Sequence, residues 1–219
     1  MKKLKFRIYA AITALIMLAG LTGCGPARYD AKGHVQGDLD AQYKNILSDE
    51  YVKLVANSEE ELRQIYKNGI GYEAEYLAYY FDIILEKCPE DIKSRLESVC
   101  EKMYNAAKYE VGDAADADDS YIVSVTVYPI DIIDHIVSEH WDDFEEKWTE
   151  KYMELADMTE DEVESLWAEE ILTLLEDNVK HIGYLEPETI SVQVSKDDEG
   201  YYMISDDDFS RLNTLMIKY

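Results

Sequence analysis

Basic residues are scarce in this chain. Its 219 residues include 21 Lys and Arg against 47 Asp and Glu, which gives a formal net charge of −26. A chain with this excess of negative charge repels the phosphates of nucleic acids and the headgroups of anionic lipids. We therefore expect no nucleic acid partner and no direct binding to an anionic lipid surface.

Cysteine is also rare, since the chain contains only Cys24, Cys88 and Cys100. Pro89 begins a helical pattern that places Cys100 roughly 16 Å further along a helix axis. Bridged cysteines need Cα atoms within about 7 Å of one another. Cys88 and Cys100 are therefore predicted to be buried free thiols, and no Cys and His residues have the spacing of a zinc finger.

The common catalytic motifs are missing. The sequence contains no GxSxG, no P-loop and no GxGxxG, the motifs of common hydrolases and nucleotide-binding proteins. No cofactor is expected on this basis. The absence favours a non-catalytic protein.

Long apolar runs are missing too, and the longest candidate lies at the N-terminus. Four basic residues fall within MKKLKFR, and Ile8 to Ala19 then carries no charge. A membrane-spanning helix needs about 18 to 20 apolar residues, more than this run supplies before Gly23. Basic, apolar and small residues in this order predict a secretory signal peptide over residues 1–23.

The end of that signal peptide has a specific motif. Leu21-Thr22-Gly23-Cys24 matches the bacterial lipobox, so Cys24 is predicted to carry a diacylglyceryl thioether and to become the mature N-terminus. Lipid on Cys24 would anchor the chain to the membrane, because two or more acyl chains hold a protein stably. We expect the protein to be located at the extracytoplasmic face of the bacterial cell membrane. The remaining 17 basic and 47 acidic residues would carry a net charge of −30.

The rest of the chain is expected to fold. A hydrophobic content of 47%, with 18 Tyr, argues for a packed core and against disorder. Residues 24–37 lack periodicity and are predicted to be a lipidated tether, and residues 38–219 to be one domain. Capping boxes at Ser58 and Thr159 predict helix starts.

Alternation with a period of two marks two β-hairpins. The first pairs Lys108–Gly112 with Tyr121–Tyr128 across the acidic turn DAADADDS, and the second pairs Thr189–Ser195 with Tyr201–Ser205. An antiparallel sheet of about four strands, packed under helices, buries the apolar faces most simply. The predicted fold class is α+β.

Three tracts, together with the lipobox, resemble a known family. They are EEELRQIYKNGIGYEAEYLAYYFDI, AKYEVGDA with DDSYIVSVTVYPIDI, and DDEGYYMISDDDF. The chain resembles the uncharacterised lipoproteins of clostridia-type Gram-positive bacteria, with a domain taken to be cystatin-like or NTF2-like. The resemblance covers most of residues 38–219 and implies an envelope location and an α+β fold. It brings no catalytic residue.

Tyr72, Tyr76, Tyr79 and Tyr80 form an aromatic stripe at helical spacing. As a binding feature, the stripe would form a wall of an apolar pocket, with hydroxyls that orient a small molecule or glycan. As a structural feature, it would pack in the core with hydroxyls at the rim. Both interpretations remain open from the sequence.

A second constellation lies in DIIDHIVSEHWDDFEE. His135 and His140 are five residues apart, so on one helix they point about 140° away from each other and cannot share a zinc ion in the manner of HExxH. Asp131, His135 and Glu139 do share one face, which suggests the alternative of a metal-assisted hydrolase. On the solvent side, such acid–His pairs are ordinary surface electrostatics. The preferred prediction is a lipid-anchored, non-catalytic module that binds a small ligand or an envelope protein.

Overall fold

A computed structural model describes residues 29–153 and 155–219. The predicted signal peptide and Cys24 lie outside these residues. Within them, no helix combines the length and the apolar character needed to cross a membrane.

The described chain forms eight α-helices and the four strands of one antiparallel sheet. The helices are α1 (Ala31–Lys44), α2 (Asp49–Val52), α3 (Glu59–Tyr80), α4 (Glu90–Asn105), α5 (Ile132–Glu139), α6 (Trp141–Tyr152), α7 (Glu160–Asn178) and α8 (Asp206–Met216). The strands are β1 (Lys108–Ala117), β2 (Ser120–Tyr128), β3 (Glu188–Lys196) and β4 (Tyr202–Ile204). The α+β fold class is confirmed.

The two hairpins join into a single four-stranded sheet in the order β1-β2-β3-β4, with every pair antiparallel. β2 lies at its centre and buries Val123, Val125 and Val127 completely. The alternation in the sequence therefore identified the buried face of this strand correctly, since successive side chains point to opposite faces.

Both predicted capping boxes are present. The Ser58 hydroxyl accepts the backbone N–H of Glu61, whose carboxylate accepts the backbone N–H of Ser58 at 2.7 Å. Thr159 and Glu162 repeat the arrangement at the start of α7. Each box satisfies two backbone donors that a helix N-terminus leaves unpaired.

The first helix begins inside the segment predicted to be a tether. Asp30 caps α1, and Val35 and Leu39 are completely buried in the main core. The prediction of an unstructured tether is therefore wrong for residues 31–37. Gly33 and Gly37 lower the helix propensity of this segment, so the sequence does not predict the helix. Glycine at position 37 permits close packing, because a Cβ there would lie 2.1 Å from the Tyr51 ring.

Several predicted elements differ in length. The segment DAADA, residues 113–117, is strand rather than turn, and only Asp118 and Asp119 connect β1 to β2. Asp118 adopts a positive φ of 51°, which Asp tolerates. α3 ends at Tyr80 because Asp82 also turns left-handed and Ile83 N–H donates to the Ala78 carbonyl. The segment DIIDHIVSEHWDDFEE, which the comparison of His135 with His140 treats as one helix, breaks at His140 into α5 and α6.

Buried side chains form two clusters of very different size. The main cluster joins α1, α3, α4, α5, α7 and α8 to one face of the sheet. The satellite cluster consists of Ala41, Tyr51 and Leu62, with three partly buried neighbours. Its three residues come from α1, α2 and α3, and a cleft opens beside them.

Candidate ligand cleft

The predicted tyrosine stripe lies on the surface of α3. Tyr72 is 72% exposed and Tyr79 is 77% exposed, while Tyr76 and Tyr80 are also exposed. The core-packing interpretation is therefore wrong for these four residues. α3 instead buries its opposite face, which includes Tyr66, Ala74 and Leu77.

The structure separates the four tyrosines into two places. Tyr72 lines an open groove of about 630 Å³ between α3 and α4, together with polar side chains such as Gln64 and Ser98. Tyr76 and Tyr80 contact the ring of Tyr219, with ring centroids 4.7 and 5.2 Å away. The stripe does not form one wall of one pocket, although Tyr72 remains accessible to a ligand.

Asp131, His135 and Glu139 do not converge on one point. The Asp131 carboxylate accepts the backbone N–H of Gly183 at 2.8 Å, and Glu139 is exposed to solvent. Among the described residues, no group of three or more His, Cys, Asp or Glu side chains is placed to hold a metal ion.

His135 and His140 are closer together than the sequence predicted. Their ring centroids are 5.1 Å apart in a perpendicular arrangement. The prediction that the two rings diverge is wrong, because it assumed one continuous helix and the chain breaks at His140. An angle between side chains that is calculated for one continuous helix fails wherever a helix end between them is not recognised.

The two cysteines in the described residues are free thiols, as expected. Cys100 is completely buried, and burial raises the pKa of its thiol above the ordinary range. Cys88 is only partly buried, and its thiol donates to the Ile84 carbonyl at 3.4 Å.

A cleft with mainly apolar walls lies elsewhere, at the edge of the satellite cluster. It has a volume of about 290 Å³ and opens between the α1–α3 region on one side and β4 with α8 on the other. Small-molecule sites typically have volumes of about 300 to 1,000 Å³, so this cleft suits a small ligand. Its apolar and aromatic lining residues are Ala41, Tyr51, Val55, Ala56, Leu62, Ile65, Tyr201, Tyr202, Met203, Ile204 and Phe209.

A buried polar network closes the α1 side of the cleft. His34 is only 2% exposed; its Nε2 lies 3.1 Å from Asp38 Oδ2, and its Nδ1 lies 2.6 Å from the Tyr29 hydroxyl. The Tyr51 hydroxyl donates to the other oxygen of Asp38 at 2.7 Å. A neutral imidazole protonated at Nε2 satisfies both contacts of His34, since it donates to Asp38 and accepts from Tyr29.

Both tyrosines of this network have raised pKa values. Burial, followed by the charge of Asp38, raises the pKa of Tyr51 and of Tyr29 above the ordinary tyrosine range. At neutral pH both hydroxyls keep their protons, as an ordinary tyrosine also does, so each can donate a hydrogen bond. With both ring nitrogens engaged, His34 positions Asp38 and has no free nitrogen for a ligand.

Besides His34 and the tyrosine hydroxyls, the polar side chains that line the cleft are carboxylates and amides. Asp38, Asp197 and Asp206 line it, together with Gln42 and Asn57, and no Lys or Arg is among the described lining residues. Asp38 keeps 17% of its side chain exposed. The cleft thus combines apolar walls with negative charge.

Sequence reasoning missed this site. His34 and Asp38 lie four residues apart, a spacing that places them on one helical face, but residues 24–37 were interpreted as a tether. The sequence predicts the strand Tyr201–Ser205 as part of a hairpin, and nothing in it links that strand to α1. The i,i+4 spacing of His34 and Asp38 was the available signal.

Comparison with known proteins shows the fold. No protein-family model matches the chain, and no curated protein matches it. A solved structure from Bacillus subtilis, ycdA, described as a candidate lipoprotein, is similar with a TM-score of 0.59 at 16% sequence identity. The match covers 87% of this chain and 56% of that chain, so this chain spans little more than half of its neighbour's length. The cystatin-like or NTF2-like resemblance stays a prediction, because that description names neither fold.

Proposed function

We propose that this protein is a non-catalytic binding module, anchored by lipid on Cys24 to the extracytoplasmic face of the bacterial cell membrane, and that it binds a small ligand in the cleft between α1 and β4. The observation that supports binding is the cleft itself, which has apolar walls and a buried His34–Asp38 pair that holds a carboxylate at its edge. A carboxylate fixed by two partners is a preorganised contact, and preorganisation lowers the entropy lost on binding.

The lipobox and the similarity of fold to a candidate lipoprotein support the anchor. Replacement of Cys24 by Ala should move the protein from the membrane fraction to the soluble fraction, and globomycin should block its processing. The anchor proposal fails if the variant is as membrane-bound as the unaltered chain.

Methyl NMR of labelled methionines can test the cleft directly. Met203 lines the cleft and is 48% exposed, whereas Met153 is 74% exposed and is not among the residues that line it. A neutral apolar probe, 3,3-dimethylbutan-1-ol, should shift the Met203 methyl resonance of the full chain in dodecyl maltoside and leave that of Met153 in place.

The matched variant is Ala56→Trp, which places a large ring at an exposed position of the cleft lining. It should abolish the Met203 shift without changing the other methionine resonances. Equal shifts of Met203 and Met153 would indicate nonspecific contact with the probe. If Met203 shifts neither with this alcohol nor with a charged probe of the same shape, binding at this cleft is contradicted.

A further inference from the structure

The aromatic side chains of the cleft can attract a cation as well as provide apolar contact. Tyr51, Tyr201, Tyr202 and Phe209 all contribute to its lining. The face of an aromatic ring attracts a cation, and cages of such rings are the usual binding sites for alkylated ammonium groups. Two of these rings are already covered: Tyr51 is only 4% exposed, and Tyr202 stacks on Tyr29 with Lys196 Nζ 5.2 Å from its centroid. Tyr201 and Phe209 are therefore the rings that can meet a cation with an organic surface.

The charges of the cleft select the same sign. Asp38, Asp197 and Asp206 all line it, and no Lys or Arg is among the described residues that do. Lys196 lies beside the cleft, with its Nζ 5.2 Å from the centroid of the Tyr202 ring, but the carboxylates outnumber it. An anion would therefore meet a net negative charge, which carries an electrostatic penalty at a partly desolvated site. A cation would gain from each carboxylate.

The same residues argue against a bare metal ion. The oxygens of Asp38 are already engaged by Tyr51 and His34, and Asp197 Oδ1 accepts the backbone N–H groups of Glu199 and Tyr201, each at 2.9 Å. Asp206, Gln42 and Asn57 bring further oxygens to the cleft, but among the described residues no three or more His, Cys, Asp or Glu side chains are placed together to hold a metal ion, and calcium requires six to eight oxygen ligands. An ammonium group with alkyl substituents needs only nearby negative charge and apolar contact.

We infer that the cleft binds a small organic ammonium ion, with its alkyl groups against Tyr201 and Phe209 and its charge toward Asp38 and Asp206. The inference rests on the proposed function, because it specifies the ligand of the same cleft. His34 acts here as a positioning residue that orients Asp38.

Three probes of the same shape separate charge from apolar contact. They are (2-hydroxyethyl)trimethylammonium, its uncharged isostere 3,3-dimethylbutan-1-ol, and the anion 3,3-dimethylbutanoate. Titrations of the full chain in dodecyl maltoside, followed by the Met203 methyl resonance, should give a dissociation constant about tenfold lower for the ammonium than for the alcohol. The anion should bind most weakly.

Two exposed residues provide variants that preserve the fold. Asp206→Asn should weaken the ammonium about threefold and leave the alcohol unchanged, since it removes charge and keeps shape. Tyr201→Leu should weaken the ammonium by a similar factor because a ring is lost. Tyr79→Leu, on the exposed face of α3, is the matched control and should change nothing.

The outcomes distinguish the inference from the proposed function. If the alcohol or the anion binds as tightly as the ammonium, or if Asp206→Asn weakens ammonium and alcohol equally, the inference is overturned and binding at the cleft stands. If Tyr79→Leu has the same effect as Tyr201→Leu, the aromatic contribution is overturned. If no probe shifts Met203, both the inference and the proposed function fail.

Discussion

The main cluster and the satellite cluster show two ways of burying side chains in one chain. In the main cluster, α4 and α7 pack with the sheet around fully buried residues such as Leu96 and Ile171. In the satellite cluster, Ala41, Tyr51 and Leu62 are buried with few neighbours and border a cleft. The closed main cluster stabilises the fold. The satellite cluster remains separate from it, and the cleft at its border leaves room for a ligand.

The contrast between the clusters also appears in their polar groups. The main cluster adjoins the buried Asn178, whose amide donates to the Leu174 carbonyl of the same helix, whereas the satellite cluster adjoins the buried His34, which pairs with the carboxylate of Asp38. A buried polar network costs free energy when any member loses its partner. We therefore expect substitutions in the two regions to differ in kind as well as in size.

Truncation of a leucine in each cluster should give the largest difference. Leu96→Ala should lower the free energy of unfolding by about 2 to 5 kcal/mol, because it leaves a closed cavity. Leu62→Ala should lower it by less, since the space it vacates is continuous with the cleft and the site can relax. Urea unfolding of both variants measures the two values. Equal losses would contradict the distinction between the clusters.

Removal of Arg95 should have the next largest effect. Its guanidinium donates two hydrogen bonds to Glu176 at 3.1 Å and one to Glu169 at 2.6 Å, which ties α4 to α7. Arg95→Ala should lower stability by about 1 to 2 kcal/mol, a value that allows for partial solvent screening. Lys93→Ala, which removes a single exposed pair with Glu75, should cost less than about 0.5 kcal/mol.

The contribution of Arg95 should depend on pH. Hydrogen bonds from Arg95 lower the pKa of Glu176 below its ordinary value of 4.5. The stabilisation is therefore present above pH 4.5 and is lost as the pH falls through the lowered pKa. The difference between the unaltered chain and Arg95→Ala should shrink in acid. A constant difference down to pH 2 would contradict this assignment.

Tyr51→Phe should have a smaller effect, located at the cleft. It removes the hydrogen bond to Asp38 while the ring remains, and one such bond is worth about 1 kcal/mol. The Met203 methyl resonance should move in this variant even without a probe, because the neighbouring carboxylate loses a fixed partner. Tyr128→Phe, which loses an exposed bond to Glu110, serves as the control.

Glu73→Gln should change the pH dependence more than the stability itself. Burial raises the pKa of Glu73, although Tyr219 and Tyr104 donate hydrogen bonds to its carboxylate. A raised carboxyl pKa means that stability falls as the pH rises from 4.5 through the raised value. Thermal unfolding should show that Glu73→Gln loses less stability over this range than the unaltered chain. A parallel pH profile would indicate that Glu73 titrates normally.

Prediction from the sequence worked where local rules decide the structure. Ser58 and Thr159 start helices because their hydroxyls and the following Glu side chains satisfy the same backbone donors. Val123, Val125 and Val127 identified the buried face of β2 because strand periodicity is local. The helix break at His140 and the helix within residues 31–37 were missed, since neither has a strong local signal.

The candidate site could not be assembled in this way. His34 and Asp38 come from α1, Leu62 from α3, and Tyr202 and Phe209 from the C-terminal region. Their proximity depends on packing between segments more than 130 residues apart in sequence. The tyrosine stripe illustrates the opposite error, because helical spacing identified a common surface but not whether that surface faces core or solvent.

The sequence by itself determined the charge, the caps, the strand alternation and the α+β class, since each follows from interactions between near neighbours in the chain. It also predicts the lipid anchor on Cys24, which lies outside the described residues. Only the tertiary structure decided that Tyr72 to Tyr80 remain exposed and that α1 faces β4 across a cleft. The reason is physical: a side chain's burial depends on which distant surface packs against it, and a cleft exists only where two such surfaces do not close.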